Sequence, residues 1–328
     1  MLQNFPGRRA LLDDAPYRGP RRITPYFEGW YFRQVTADRS ESLAVIVGMS
    51  LSPDPHAFVQ ILNGPDGRVL KKRYPLEAFR AWRDRFEVTL GENRFSTDAL
   101  VLGMDVSGVE VTGRLEFSDR AVYPTSFVSP TIMGPFSWAP FMECIHGLVS
   151  MDHRVSGSVA WNGRTADYTG GRGYIEKDRG RSMPRHWIWC HTNQFETEGD
   201  SLMLSVARIP WLGSSFTGHL GFLRFGDNLH RFGTYTGSRV SGRKTERGLE
   251  LAFTRRRTVL EVILEPEGVG GSLDAPVDGA MSRQIVESPW SRLEARLTDG
   301  GSLLWEGRAE PAAVEVTGDV GELLPAGT

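Results

Sequence analysis

EGWYFRQVTADRSESLAVIVGMSLSPDPHAFVQILNGPDGRVLKKR, residues 28–73, decides the fold class. Apolar and polar residues alternate over 28–36, 43–51, 57–62 and 68–73, runs short enough for strands and rich in β-branched and aromatic side chains. Between the last two lies Asn63-Gly64-Pro65-Asp66-Gly67, whose residues favour turns. The same texture continues through 85–90, 93–97, 100–106 and 109–117, with Gly91-Glu92-Asn93 placed to close a hairpin. About eight meandering strands are what an up-and-down barrel requires.

Residues 121–142 read differently. They carry Pro124, Pro130, Pro135 and Pro140 among Phe127, Phe136, Trp138 and Phe141. Prolines at this density cannot sit inside paired strands, so the segment is an irregular crossover that covers a groove or joins two domains. Strand patterns resume at 143–151, 154–161, 164–172, 186–195, 202–208, 217–225, 229–235, 250–255, 258–264, 284–297 and 302–308. A weak helical pattern at Leu76–Arg83 stands nearly alone, and no βαβ unit is indicated. The expectation is an all-β chain of two consecutive antiparallel barrels with few short helices. Its divisions are an N-terminal extension (1–22), a first barrel (23–120), the crossover (121–142), a second barrel (143–318) and a frayed tail (319–328).

Composition narrows the function classes. Among 328 residues, 38 basic and 40 acidic side chains leave a net charge of −2, no electrostatic basis for nucleic acid. Cys144 and Cys190 are too few and too far apart for a zinc motif or a disulfide framework, and read as buried thiols. Residues 1–22 lack the apolar core of a signal peptide, and the longest apolar stretch, Leu43–Leu51, is far below the ~20 residues a membrane helix needs. A cytoplasmic chain without an integral membrane segment is expected. Nucleotide loops, HExxH and G-x-S-x-G are absent from the sequence.

Three clusters carry the chemistry. In Phe27-Glu28-Gly29-Trp30-Tyr31-Phe32-Arg33, strand alternation puts Glu28, Trp30 and Phe32 on one face and Phe27, Tyr31 and Arg33 on the other. Glu28 reads either as an acid in an apolar cavity, its pKa raised by desolvation, or as a structural carboxylate. Trp30 reads as a barrel plug or as a pocket wall. In Pro140-Phe141-Met142-Glu143-Cys144-Ile145-His146-Gly147, Glu143 and His146 fall on opposite faces and cannot readily grip one metal ion, whereas Cys144 and His146 share a face. The third stretch, GYIEKDRGRSMPRHWIWCHTNQF at 173–195, opens with a charged run, Glu176 to Arg181, that reads as a solvated turn. It continues as a strand with Trp187, Trp189, His191, Asn193 and Phe195 on one face and Ile188, Cys190, Thr192 and Gln194 on the other. Tryptophans beside His and Asn suit a ligand wall with a few orienting polar groups. An interdomain core that tolerates polar groups is the other reading.

FEGWYFR (27–33), PFMECIHG (140–147), the 173–195 stretch and PAAVEV (311–316) together make the chain, from about residue 24 to 317, resemble the tocopherol cyclase family. The resemblance implies a lipocalin-like fold, shared with two-domain carotenoid hydratase-like proteins, and closure of a chromanol ring from a prenylated benzoquinol. It departs from the plant pattern at Asp178-Arg179, where Asn-Trp follows the Glu-Lys pair, and at His191, where plant forms carry Gln. Such a reaction needs a carboxyl kept neutral in a water-poor site to protonate the alkene, and aromatic faces to stabilise the cation at ~0.5–2 kcal/mol each. The candidate acids are Glu28, Glu143 and Asp178. Trp30, Tyr31, Trp187 and Trp189 would line the cation and prenyl chain, and His146, His191 and Asn193 would orient the quinol oxygens. The chemistry calls for no metal and no cofactor. The implied partner is a hydrophobic small molecule, a prenylated quinol or other isoprenoid, collected through peripheral contact with a membrane. A lipocalin-like carrier without chemistry, or a carotenoid hydratase-like lyase, would use similar walls.

Overall fold

In the computed structural model, which describes residues 13–20, 25–140 and 142–324, strands dominate. The first run comprises β1 (Phe27–Val35), β2 (Ser42–Ser50), β3 (His56–Asn63), β4 (Val69–Pro75), β5 (Phe79–Ala81), β6 (Glu87–Leu90), β7 (Asn93–Ser96), β8 (Ala99–Val106) and β9 (Val109–Ala121). After the crossover come β10 (Cys144–Trp161), β11 (Arg164–Asp167) and β12 (Gly171–Gly180). These twelve strands form one sheet in the order β4-β3-β2-β1-β12-β10-β9-β8-β7-β6-β5, with β11 on β10. The remaining strands are β13 (Trp187–Thr192), β14 (Ser201–Trp211), β15 (Ser214–Phe225), β16 (Asn228–Gly233), β17 (Arg239–Lys244), β18 (Leu249–Arg255), β19 (Thr258–Glu265), β20 (Gly271–Val277), β21 (Ala280–Asp299) and β22 (Ser302–Thr317). They form a ten-stranded sheet in the order β16-β15-β14-β13-β22-β21-β19-β18-β17, with β20 on β21. All the registered pairings cited below are antiparallel, and the chain is all-β and lipocalin-like.

Two compact units result: one of residues up to Leu62, Val69–Met183 and Ala275–Arg283, the other of Asn63–Arg68, Pro184–Asp274 and Gln284 onward. The boundary expected at 143 is therefore corrected. β12 inserts between β1 and β10, so residues 144–180 complete the first sheet. Strand patterning reveals that a strand exists but not which neighbour it pairs with.

Other differences have local causes. The runs 143–151 and 154–161 are one strand, β10, whose polar break at Asp152–Arg154 is taken up by register shifts against β12 and β9. The weak helix at Leu76–Arg83 is a 3-10 turn at Leu76–Ala78 followed by β5. Strands β17 and β20 had no counterpart in the sequence reading. The charged run Glu176–Gly180 lies within β12 rather than in a turn, because its charges find partners described below. In the tail, Leu323 and Leu324 pack into the second core. Among the described residues there is no helix long and apolar enough to cross a membrane, which says nothing of a β-barrel.

Inward alternation fills both cores. In the first unit Trp30 stacks on Phe86 at 5.2 Å, and Phe32 touches Phe86, Phe95 and Phe117 at 5.8–6.3 Å. Such ring pairs add about 0.5–1.5 kcal/mol each to the burial of their area. In the second unit Ile188, Cys190, Leu204, Phe232, Phe253 and Val314 belong to the corresponding core. The β10–β11 hairpin turns through Asn162 and Gly163 at φ 48° and 82°, the left-handed pair a two-residue turn requires.

Candidate functional site

Core-facing residues of β1 and β12 make a closed ionic plug. Lys177 sits opposite Trp30 in register, with its ammonium 5.0 Å from the ring centre. Lys177 Nζ lies 2.7 Å from Glu28 Oε1 and donates to the carbonyls of Asp14 and Pro16 at 2.8 and 2.7 Å. Glu28 also accepts from the backbone N–H groups of Arg18 and Gly19, both at 2.8 Å, and from the Tyr26 hydroxyl at 2.6 Å. Glu28 and Lys177 are wholly buried. Burial pulls the lysine pKa down, against the opposing fields of Glu28 and Asp14. Trp30 donates its indole N–H to the Ala15 carbonyl at 2.8 Å. Glu28 and Trp30 are thus held in structural contacts: both carboxylate oxygens are taken by donors, and the indole lies in the packed core.

The opposite face of the same strands is polar, with Tyr31, Tyr174 and Glu176 buried and Cys144, His146 and Asp178 partly buried. Register aligns Gly29 with Asp178 and Asp178 with His146, while Tyr31 aligns with Glu176 and Arg33 with Tyr174. Period-two alternation therefore gathers Tyr31, Tyr174, Glu176, Asp178, Cys144 and His146 on one surface. His146 Nδ1 lies 3.0 Å from Asp178 Oδ1, and Nε2 lies 3.4 Å from Glu176 Oε2. The Cys144 thiol donates to Asp178 Oδ1 at 3.3 Å, and the Tyr174 hydroxyl to Glu176 Oε2 at 2.5 Å. From the crossover, Met133 Sδ accepts the His146 backbone N–H at 3.0 Å.

Burial alone would lower the pKa of His146, but Asp178 and Glu176, helped by Asp14, raise it to about 9. The ring is charged at neutral pH: Nδ1 donates to Asp178 Oδ1, while Nε2 faces Glu176 at ion-pair distance without a hydrogen bond. Burial, reinforced by Glu176, pushes Tyr174 well up; burial and Asp178 do the same for Cys144. The donor atoms of His146, Glu176 and Asp178 lie within 4.8 Å of one another, a spacing suited to a cation, and the imidazolium supplies that positive charge itself.

Asp178 and His146 are brought together. Glu143 is not part of the cluster: it precedes β10, where its carbonyl accepts the N–H groups of Arg181 and Ser182 at 2.7 and 3.2 Å. Phe141 lies outside the described residues. Sequence reading missed Glu176 and Tyr174, although their alternation with Asp178 would have exposed them once 171–180 was taken as a strand.

In the second unit, Trp187, Trp189 and His191 share the face of β13 turned away from the core, and all three are buried. Trp187 donates to Glu315 Oε2 at 2.7 Å, and the Trp189 and His191 rings lie 6.4 Å apart. β13 ends at Thr192, so the alternation stops there. Asn193 accepts from Gln194 Nε2 at 2.7 Å, and Phe195 joins the core with Ile188 and Cys190. A cleft of about 800 Å³ in this unit is lined by Glu196, Arg243, Glu261, Arg296 and Glu306 among others, and none of the tryptophans lines it.

Residues 130–236 match the family model described as tocopherol cyclase-like, a span that holds Asp178, His146 and the β13 tryptophans. Several solved structures share the fold. A putative AttH from Nitrosomonas europaea is 15% identical, with 88% of this chain and 92% of that one covered at a TM-score of 0.52. Kievitone hydratase from Nectria haematococca is 9% identical over 94% and 92% of the two chains, with a TM-score of 0.51. CghA is 11% identical over 97% of each chain with a TM-score of 0.57, and a structure of CghA with Sch210972 is also similar, at 0.54.

Proposed function

We propose that the chain is an acid–base enzyme of the tocopherol cyclase type, which protonates the alkene of a prenylated benzoquinol from Asp178 and closes the chromanol ring. The supporting observation is the asymmetry of the Asp178 carboxyl. Oδ1 is held by His146 and Cys144, whereas Oδ2 has no partner among the described residues. The side chain is 22% exposed, and its register neighbour on β1 is Gly29, which carries no side chain to cover it.

The proton passes from Oδ2 to the less substituted alkene carbon, leaving a tertiary cation. The phenol oxygen forms the new C–O bond and returns its proton to Oδ2, so the substrate is isomerised with no net gain or loss. In the reacting form Asp178 carries the proton on Oδ2 beside His146, whose positive charge makes that proton easier to give up and then stabilises the carboxylate while the cation exists. Tyr31 and Tyr174, on the same sheet surface by register, are assigned the aromatic faces that stabilise it. Glu28 and Trp30 are assigned to the plug, and Glu143 has no part in the step. In the second unit, taken by itself, Trp187, Trp189, His191 and Asn193 are assigned to binding an apolar ring or isoprenoid chain. The crossover suits membrane contact: residues 121–142 contain no charged side chain, and Val122, Phe127, Val128 and Trp138 are exposed.

Mass spectrometry of a prenylated benzoquinol incubated with the protein tests the reading. A product of unchanged mass that has lost its alkene is expected, and Asp178→Asn should abolish it while ligand binding persists. A gain of one water would assign a hydratase instead, and recovery of intact ligand would assign a carrier. Full activity of Asp178→Asn would refute the acid assignment.

A further inference from the structure

We infer that the β14–β15 hairpin carries a membrane-inserting finger, residues 208–217, whose tip enters the interface of a zwitterionic phospholipid bilayer. The inference extends the membrane contact assigned above to the crossover, but it rests on other residues, in the second unit, and its test separates the two. β13 pairs with β14 no further than Ala207, and β16 pairs with β15 no further than Leu220. Arg208 still donates its backbone N–H to the His186 carbonyl at 3.0 Å. Beyond it Ile209, Pro210 and Trp211 are registered against Phe216, Ser215 and Ser214, and among the described residues no third strand joins them. With Arg208 opposite Thr217, the ribbon is about 14 Å long at ~3.4 Å per residue pair. That reach exceeds the ~5–10 Å depth at which interfacial side chains sit in a bilayer. A two-stranded ribbon is marginal by itself in water, so its projection does little for the fold.

The composition of the ribbon identifies what it meets. Residues 209–218, IPWLGSSFTG, carry no charged side chain. Alternation puts Ile209, Trp211 and Phe216 on one face. There the Trp211 and Phe216 rings meet edge-on at 5.8 Å, and Ile209 lies over Gly218, which has no Cβ to obstruct it. On the other face, at the root of the finger, Arg208 Nε donates to Ser215 Oγ at 2.8 Å, a cation placed to stay among lipid headgroups. At the turn Leu212 and Gly213 take φ 47° and 81°, a left-handed pair that favours Asn, Asp or Gly at its first position. Among the described residues the other non-glycine residues at positive φ are Arg39, Ser107, Asp119, Asn162, Arg256 and Asp278, all polar. Leu212 is the apolar exception, and it is 79% exposed. The backbone is thus held in a strained conformation that presents a leucine outward, which a turn serving the fold alone does not require. A stable protein interface buries about 800 Å² on each side, more than the apolar side chains of this tip offer, whereas entry into lipid needs only their freedom from charge.

The test is co-flotation of the full chain with phosphatidylcholine vesicles, in wild type, Leu212→Asn and Phe127→Ser/Trp138→Ser. Asparagine suits the left-handed turn, so Leu212→Asn should melt no lower than wild type. It should nevertheless bind the vesicles about tenfold more weakly, because an inserted leucine is lost. A direct reading comes from Leu212→Cys labelled with nitrobenzoxadiazole, whose emission should shift to the blue when vesicles are added. Labelled wild type, whose cysteines are Cys144 and Cys190, gives the background. Equal flotation of wild type and Leu212→Asn, or an unshifted label, would overturn the inference whatever the crossover variant does. Lost flotation in Leu212→Asn with full flotation of the crossover variant would uphold the finger and remove the crossover from membrane contact. Self-association without lipid that Leu212→Asn abolishes would make the tip an interface between copies, and would also overturn the inference.

Discussion

His146 makes the stability of this protein depend on alkaline pH in a calculable way. Its pKa in the fold is about 9, against the ordinary 6.5, so between these values the folded chain holds a proton that the unfolded chain has released. Stability from this group is therefore complete below pH 6.5 and is lost as pH rises through about 9. The slope is about −1.4 kcal/mol per pH unit, and a window of about 2.5 units makes the total roughly 3 kcal/mol. Urea unfolding followed by tryptophan fluorescence at pH 6.5, 7.5, 8.5 and 9.5 measures it. Wild type should lose stability across the series. His146→Gln should start lower, because two carboxylates then face a neutral amide, and should show a flatter dependence. Parallel curves for the two proteins would show that His146 does not hold the extra proton, and the charged-imidazolium part of the mechanism would go with it.

On the acid side the sign reverses. His153, buried between Ser150 and Gln34, has its pKa pushed down to about 3 by burial, with help from Arg120, so its contribution is present above pH 6.5 and lost as pH falls toward 3, roughly 5 kcal/mol in full. His153→Gln should flatten urea midpoints below pH 6. Lys177→Met leaves the Glu28 carboxylate buried without its cation and should cost about 3–5 kcal/mol, read by thermal or urea unfolding, while Glu28→Leu/Lys177→Met together should recover part of it. Phe127→Ser/Trp138→Ser should leave the melting temperature nearly unchanged and weaken co-flotation with phosphatidylcholine vesicles several-fold; equal flotation would remove the crossover from membrane contact.

Strand existence was legible because alternation and turn residues act locally. The runs expected at 28–36 and 43–51 fall within a residue of β1 and β2, and the Pro-rich stretch is irregular as its missing N–H groups require. Strand partnership was not legible. Antiparallel pairing of β1 with β12 joins residues nearly 150 positions apart, and no local pattern encodes it. For the same reason Glu176–Arg181 resembled a solvated turn: a charge run is buried only when its counter-charges arrive, and those of Lys177 and Arg179 come from Glu28 and Asp14.

By itself the sequence determined an all-β chain and singled out Asp178, His146 and the Trp187–Trp189 strand, because residue types and period-two spacing carry that information. Only the tertiary structure decided between the two faces of β1 and β12. Glu28 and Trp30 turn into the packed core, where Glu28 accepts from the N–H groups of Arg18 and Gly19 and pairs with Lys177, and Trp30 donates to the Ala15 carbonyl. Asp178 turns the other way, where His146 and Cys144 engage Oδ1 and Oδ2 has no partner among the described residues. Which face becomes interior depends on register with distant strands and on the charges those strands bring, and both are settled only when the sheet assembles.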